Sequence, residues 1–223
     1  MTDLATGAAW SHALSGVRVV IFDLWQTLAN AQVRPLDLFN RHLRELRVCS
    51  DTEFLRQLSL SDVFLRDVPL EVSIQDLFGR LGVANATALA RCVSAWKTMA
   101  EGVYLYDGAA GLLDLLKRRH YQLCLLTNTD KVGFDCLQAR SRLALFDFYF
   151  LSYQQGYAKP DKRCWEAIRK HFGIDYSKML MVGDSTNQDI TPAKMLGLQT
   201  IQVGGGASDI ATLADIIRNY SVR

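Results

Sequence analysis

At 223 residues the chain can bury roughly 70% of its unfolded surface, as one domain or as a domain carrying an insertion. Its 25 Lys and Arg against 23 Asp and Glu leave a net charge of +2, which excludes electrostatic attachment to nucleic acid or an anionic membrane. Apolar stretches are only strand-sized, so none is expected to span a membrane, and residues 1–16 do not read as a secretory leader. The five cysteines are scattered and odd in number, without CxxC spacing, which points to a reducing, cytoplasmic setting rather than a disulfide framework or zinc site.

In chain order, Thr2 to Ser15 predicts a short helical extension with no assigned role. Val17 to Phe22 is a short, β-branched, apolar run, the pattern of a strand buried on both faces, and it ends at Asp23. Residues 31–103 then predict helices only. Leu36, Phe39, Leu43 and Leu46 share one face, Asp51 is an expected N-cap ahead of Phe54, Leu55 and Leu58, and Ile74, Leu77, Phe78 and Leu81 repeat the stripe before a stop at Gly82. Asn85 is the expected cap of a helix burying Leu89, Cys92, Val93 and Trp96. This segment has the makings of an inserted unit with its own core. Its arginines (Arg34, Arg41, Arg44 and Arg47 among them) form a solvated face from which one or two can meet an anionic substrate.

From Tyr104 strands and helices alternate. Strands are expected at 121–126, 148–151, 179–182 and 200–203, and helices at 108–119, about 131–144, around Trp165 to Phe172, at 190–196 and at 209–219. Five strands separated by helices imply an α/β fold with a doubly wound, Rossmann-like parallel sheet. Right-handed crossovers carry the first three strands outward in one direction and return the fourth to the free side of the first. The ends of strands one and four then flank the topological switch point, where such sheets bind ligands.

Four polar clusters lie at or just beyond strand ends: Asp23 with Thr27, Thr127 with Asn128, Lys159, and Asp184 with Asp189. Each alone reads as a turn, a cap or a solvated loop residue. Together, at one end of one sheet, carboxylates, a lysine and hydroxyl or amide groups suit a phosphoryl group and a hard cation. An aspartate beside such a cation can serve as a covalent nucleophile. His12, His42, His120 and His171 lack metal-ligand spacing.

The ordered set resembles the haloacid dehalogenase superfamily over residues 17–30 and 104–205: Phe22-Asp23-Leu24-Trp25-Gln26-Thr27-Leu28, then Leu125-Leu126-Thr127-Asn128, Lys159-Pro160-Asp161, and Val182-Gly183-Asp184-Ser185 running on to Asp189. The resemblance implies a core domain of residues 1–30 and 104–223 and a helical cap of residues 31–103. It implies an aspartyl-phosphate formed on Asp23, with Mg²⁺ held by Asp23, Asp184 and the Trp25 carbonyl. Asp189 would support the metal shell directly or through water, Thr127 and Asn128 would meet the phosphoryl group, and Lys159 would steady nucleophile and phosphate. The substrate class implied is a small phosphorylated metabolite.

One position departs from the pattern. Trp25 stands where most phosphatases of the superfamily place a second aspartate that protonates the leaving group, and an indole cannot do this. Losing such a group typically costs about 10²–10⁴-fold in rate. Two alternatives to a Mg²⁺-dependent phosphohydrolase follow: a 2-haloacid dehalogenase, whose halide leaves without a proton, and a binding or regulatory protein on the same scaffold. The sequence specifies neither the substrate nor the oligomeric state.

Overall fold

The structure is a computed structural model, describing residues 14–32, 41, 44, 63–141 and 143–219. The stripe Leu36 to Leu46, the cap at Asp51 and most of the amino-terminal extension lie outside the described residues.

Five parallel strands form the main sheet: β1 (Val19–Phe22), β4 (Gln122–Thr127), β5 (Phe148–Leu151), β6 (Met179–Gly183) and β7 (Gln199–Gln202), in the order β5-β4-β1-β6-β7. Val19 pairs with Gln122 on one side and Met179 on the other, so β1 is central. This is the order that right-handed crossovers predict, with the switch point between β1 and β6.

The period-two alternation of strand side chains divides two cores between the two faces. Val20, Phe22, Leu123, Leu125, Leu180 and Val182 point to one face. There they meet Leu112, Leu113 and Leu116 of α3 (Ala109–Arg118), Phe134 and Leu137 of α4 (Lys131–Arg140), and Ile210, Leu213 and Ile217 of α8 (Ala207–Asn219). Val19, Ile21, Cys124, Leu126, Met179 and Met181 point to the other, against Trp165 and Ile168 of α6 (Arg163–Phe172) and Ala193 of α7 (Thr191–Met195). With apolar residues on both faces, β1 could only be a central strand.

Residues 63–99 bury a third cluster. Leu70, Ile74, Leu77 and Phe78 of α1 (Leu70–Arg80) pack against Ala88, Cys92, Val93 and Trp96 of α2 (Ala86–Ala100). Asn85 caps α2 as expected, its Oδ1 accepting from the Ala88 amide at 2.9 Å, and Gly82 follows α1 with φ +67°.

Three expectations need correction. Residues 31–103 are not helical throughout: β2 (Ala29–Ala31) and β3 (Val103–Leu105) form an antiparallel ribbon at the base of the insertion. The helix expected to run to about residue 144 ends at Arg140, and a 3₁₀ turn at Leu143–Leu145 follows. The helix expected at 190–196 is the short α7, entered through a π-helical turn at Thr186–Ile190. The four described cysteines, Cys92, Cys124, Cys136 and Cys164, are free. No helix among the described residues is long and apolar enough to cross a membrane.

Candidate active site

Every predicted polar cluster meets at the carboxyl end of the sheet. Asp23 follows the last residue of β1, and its amide donates to the Val182 carbonyl at 2.9 Å, continuing the ladder one step past the strand. The chain then turns tightly. The Leu24 carbonyl accepts from Leu28 and Ala29, both at 2.9 Å, and Gln26 donates to the Ala29 carbonyl at 2.7 Å. Gln26 takes φ 62°, an αL conformation costly for a residue with a side chain. The turn brings the Thr27 hydroxyl within 3.1 Å of Asp23 Oδ2, to which it donates. It leaves the Trp25 carbonyl out of its own hydrogen bonds, while the half-buried indole rests on the apolar cluster of Phe22 and Leu28.

Lys159 reaches this point from the loop after the short helix α5 (Ser152–Gln155), which follows β5. Its Nζ donates to Asp23 Oδ1 at 2.6 Å and to Asp189 Oδ1 at 2.5 Å, and the three residues are 4%, 5% and 1% exposed. An ammonium so buried is tolerated only when paired. Asn128, one residue past β4, holds the lysine backbone from both sides. Its Nδ2 donates to the Lys159 carbonyl and its Oδ1 accepts from the Lys159 amide, each at 2.9 Å. The Nδ2 also lies 3.4 Å from Gln188 Oε1, to which it donates.

Thr127 is fully buried, and among the described residues its Oγ1 has no hydrogen-bond partner. Buried hydroxyls are normally satisfied, so this oxygen marks a place for a polar ligand atom.

The third wall comes from the loop after β6. Ser185 Oγ accepts from the Gln188 amide and opens the π-helical turn, which swings Asp189 back beneath Gly183. Asp189 Oδ2 accepts from the Ser185 amide at 3.0 Å, so both its oxygens are engaged. A Cβ at Gly183 would lie 2.5 Å from Asp189 Cγ; only glycine permits this approach. Gln202, at the end of β7, donates to the Asp184 carbonyl at 3.0 Å and to Thr186 Oγ1 at 2.9 Å. Sequence reasoning missed this brace, although Gln202 ends a strand at the same edge as the other clusters.

Oxygens of Asp23, Asp184 and Asp189 all lie within 4.8 Å of one another. Three carboxylates against one ammonium leave two negative charges, the complement of one divalent cation bound through oxygen. The residues present thus fit such an ion. Without one, burial pushes the Asp23 carboxyl up to about 7, against the pull of Lys159 and with the push of Asp189 and Asp184. Burial also works against the Lys159 ammonium, but the carboxylates of Asp23 and Asp189 outweigh it and hold its pKa above the usual lysine range. The two shifts have different causes: burial dominates at Asp23, and the paired carboxylates dominate at Lys159.

Comparison with known proteins gives a consistent picture. A family model described as haloacid dehalogenase-like hydrolase matches residues 17–197. The chain is 35% identical over 109 residues to a pyrimidine 5′-nucleotidase of Streptococcus pneumoniae, a match covering 46% of this chain and 44% of that protein. It is 30% identical over 107 residues to a phosphoserine phosphatase of Thermus thermophilus, covering 46% and 41%. The chain thus spans about half the length, or less, of the curated relatives it matches. A haloacid dehalogenase family enzyme from Bacteroides thetaiotaomicron, solved as a magnesium complex, superposes with a TM-score of 0.66 at 20% identity, over 86% of this chain and 95% of that one.

Proposed function

The chain belongs to the haloacid dehalogenase-like hydrolases, and from that premise we propose that it hydrolyses a small phosphorylated metabolite with Mg²⁺ through a phosphoryl group carried on Asp23. The observation that carries this reading is the dry bridge of Lys159 between Asp23 and Asp189, beside the unpartnered Thr127 hydroxyl. Relatives named as a nucleotidase and as a phosphoserine phosphatase support the substrate class.

In this reading the Asp23 carboxylate attacks phosphorus, the ester oxygen departs with the bonding pair, and water then attacks the acyl phosphate to release phosphate and restore the carboxylate. Thr27 and Lys159 hold the two Asp23 oxygens in position. The Thr127 hydroxyl donates to a phosphoryl oxygen. Lys159 faces the charge that builds on the transferring group. Asn128 acts on substrate through Lys159, whose backbone it fixes. Asp23, Asp184 and the Trp25 carbonyl would hold Mg²⁺, with Asp189 supporting the metal shell directly or through water. When bound, the ion neutralises the two excess negative charges and polarises the phosphoryl oxygens. Trp25 supplies no proton, so the leaving oxygen takes one from solvent or substrate.

A leaving-group series tests this reading. With Mg²⁺, p-nitrophenyl phosphate, whose phenolate needs no acid, should turn over while alkyl phosphates lag. Trp25→Asp should raise the alkyl rate, by up to about 10²-fold. Asp23→Asn should abolish turnover without unfolding the chain. Dechlorination of 2-chloropropionate in EDTA, with no release of phosphate from any ester, would replace this reading with the dehalogenase one.

A further inference from the structure

The cap is fastened to the core at one place in particular, the loop Thr127–Asp130 and the helix α4 that follows it. From the cap, the Trp96 indole Nε1 donates to Asp130 Oδ1 at 3.2 Å, a buried bond between residues 34 apart in sequence. The same oxygen accepts from the Gly133 amide at 2.9 Å, so Asp130 caps α4 and anchors α2 at once. A second buried contact lies alongside. Ser152, after β5, donates its hydroxyl to the Phe64 carbonyl of the cap at 2.7 Å and accepts from the Thr129 amide at 2.9 Å. Val132 of α4 packs into the cap cluster, and Arg140 at the far end of α4 donates to the Glu101 carbonyl. The helix is thereby tied to the insertion along its length.

These contacts converge on the catalytic lysine. Asp130, which takes the Trp96 contact, and Thr129, which meets the cap through Ser152, lead directly to Asn128, which fixes the Lys159 backbone, and Lys159 Nζ meets Asp23 at 2.6 Å. Two short covalent steps and a run of hydrogen bonds thus join a cap indole to the nucleophile. We propose that Asp130 and Ser152 are positioning residues, through which seating of the cap sets the placement of Lys159 against Asp23. The catalytic half of this rests on the phosphohydrolase reading; the mechanical half does not. Asp130 as a mere helix cap would account for its bond to Gly133, but not for a buried carboxylate shared with the cap.

The test uses the full chain with Mg²⁺. Trp96→Phe keeps a ring in the cap core and removes only the N–H; Ser152→Ala removes the hydroxyl between Phe64 and Thr129. Amide hydrogen exchange and steady-state hydrolysis of p-nitrophenyl phosphate are measured on both variants. Exchange should quicken in residues 127–131 and 157–161 together with α2, and kcat should fall about 3- to 30-fold with KM changed less. Adding Asn128→Ala to Trp96→Phe should cost less than the product of the two single losses, because both act through Lys159. Quickened exchange confined to residues 63–102 with unchanged kcat, or single losses that simply multiply, would overturn the proposal. Should Trp96→Phe fold poorly, Ser152→Ala carries the same comparison. A wild-type chain that releases no phosphate would remove the phosphohydrolase reading and leave the exchange measurement to decide the fastening.

Discussion

Asp23, Asp189 and Lys159 share a volume nearly closed to water, with Asp184 at its edge, so three carboxylates there face one ammonium. The consequence for stability has a definite sign. The Asp23 carboxyl has a folded pKa of about 7 against an ordinary 3.8. A carboxyl raised in this way holds its proton more tightly folded than unfolded, so its contribution is greatest at low pH and is lost as pH rises from 3.8 through about 7. In EDTA, therefore, wild-type Tm should fall across that window. Asp23→Asn should flatten this part of the slope and stand several degrees above wild type at pH 8. Saturating Mg²⁺ should reverse the order, since only the native carboxylate set binds the ion well. Thermal melts of both proteins with and without Mg²⁺ check this; a wild-type slope that persists unchanged in Asp23→Asn would place the charge cost elsewhere. Asp23 and Lys159 were legible in sequence because each lies at or beyond a strand end. That Lys159 lies between two carboxylates was not, because Asp189 is 30 residues from it and returns only through the π-helical turn.

That return depends on the turn's backbone, so the strongest prediction about a loop concerns a residue with no side chain. Alanine at Gly183 would set its Cβ 2.5–2.6 Å from the Asp189 carboxyl group, closer than any ordinary contact. Gly183→Ala should therefore displace Asp189 from Lys159 and weaken Mg²⁺ binding, read as at least a tenfold higher Mg²⁺ requirement for turnover, about 1.4 kcal/mol, while Tm falls by only a few degrees. Gly205 guards the opposite wall: its φ is +83°, and a Cβ there would stand 2.5 Å from the Gln26 carbonyl in the turn after β1. Gly205→Ala should cost about 1–3 kcal/mol in denaturant melts, because strain and clash fall on backbone. Neither glycine's role is visible from spacing; both need the three-dimensional approach of a second loop. The ribbon of β2 and β3 escaped notice for a simpler reason. Ala29-Asn30-Ala31 is too short to show alternation and has no β-branched residue. The parallel strands, by contrast, declared themselves through length and apolar content on both faces.

At the scale of the molecule, the strand order followed from one chirality rule and the count of strands, and this placed the switch point correctly. What the rule could not supply is how the insertion bears on the core, since contacts such as Trp96 to Asp130 join side chains that no local pattern relates. The geometry of the ribbon makes that relation testable. Ala31 and Val103 are directly paired, so joining Gln32 to Gly102 through a short turn would excise the insertion without moving either strand. Both faces of the sheet keep their own buried clusters when it is gone, and the third cluster leaves almost whole. The shortened chain should fold cooperatively, with a Tm lowered by the exposure of Val132 and the loss of the Trp96 and Phe64 contacts. It should retain Mg²⁺ binding, because Asp23, Asp184 and Asp189 all lie outside the excised segment. Its turnover of p-nitrophenyl phosphate should be slower than that of the full chain and indifferent to Ser152→Ala, since the carbonyl of Phe64 that the hydroxyl serves is no longer there. A shortened chain as fast as the full one would mean that Lys159 is held by the core alone, with the cap adding no constraint on the nucleophile.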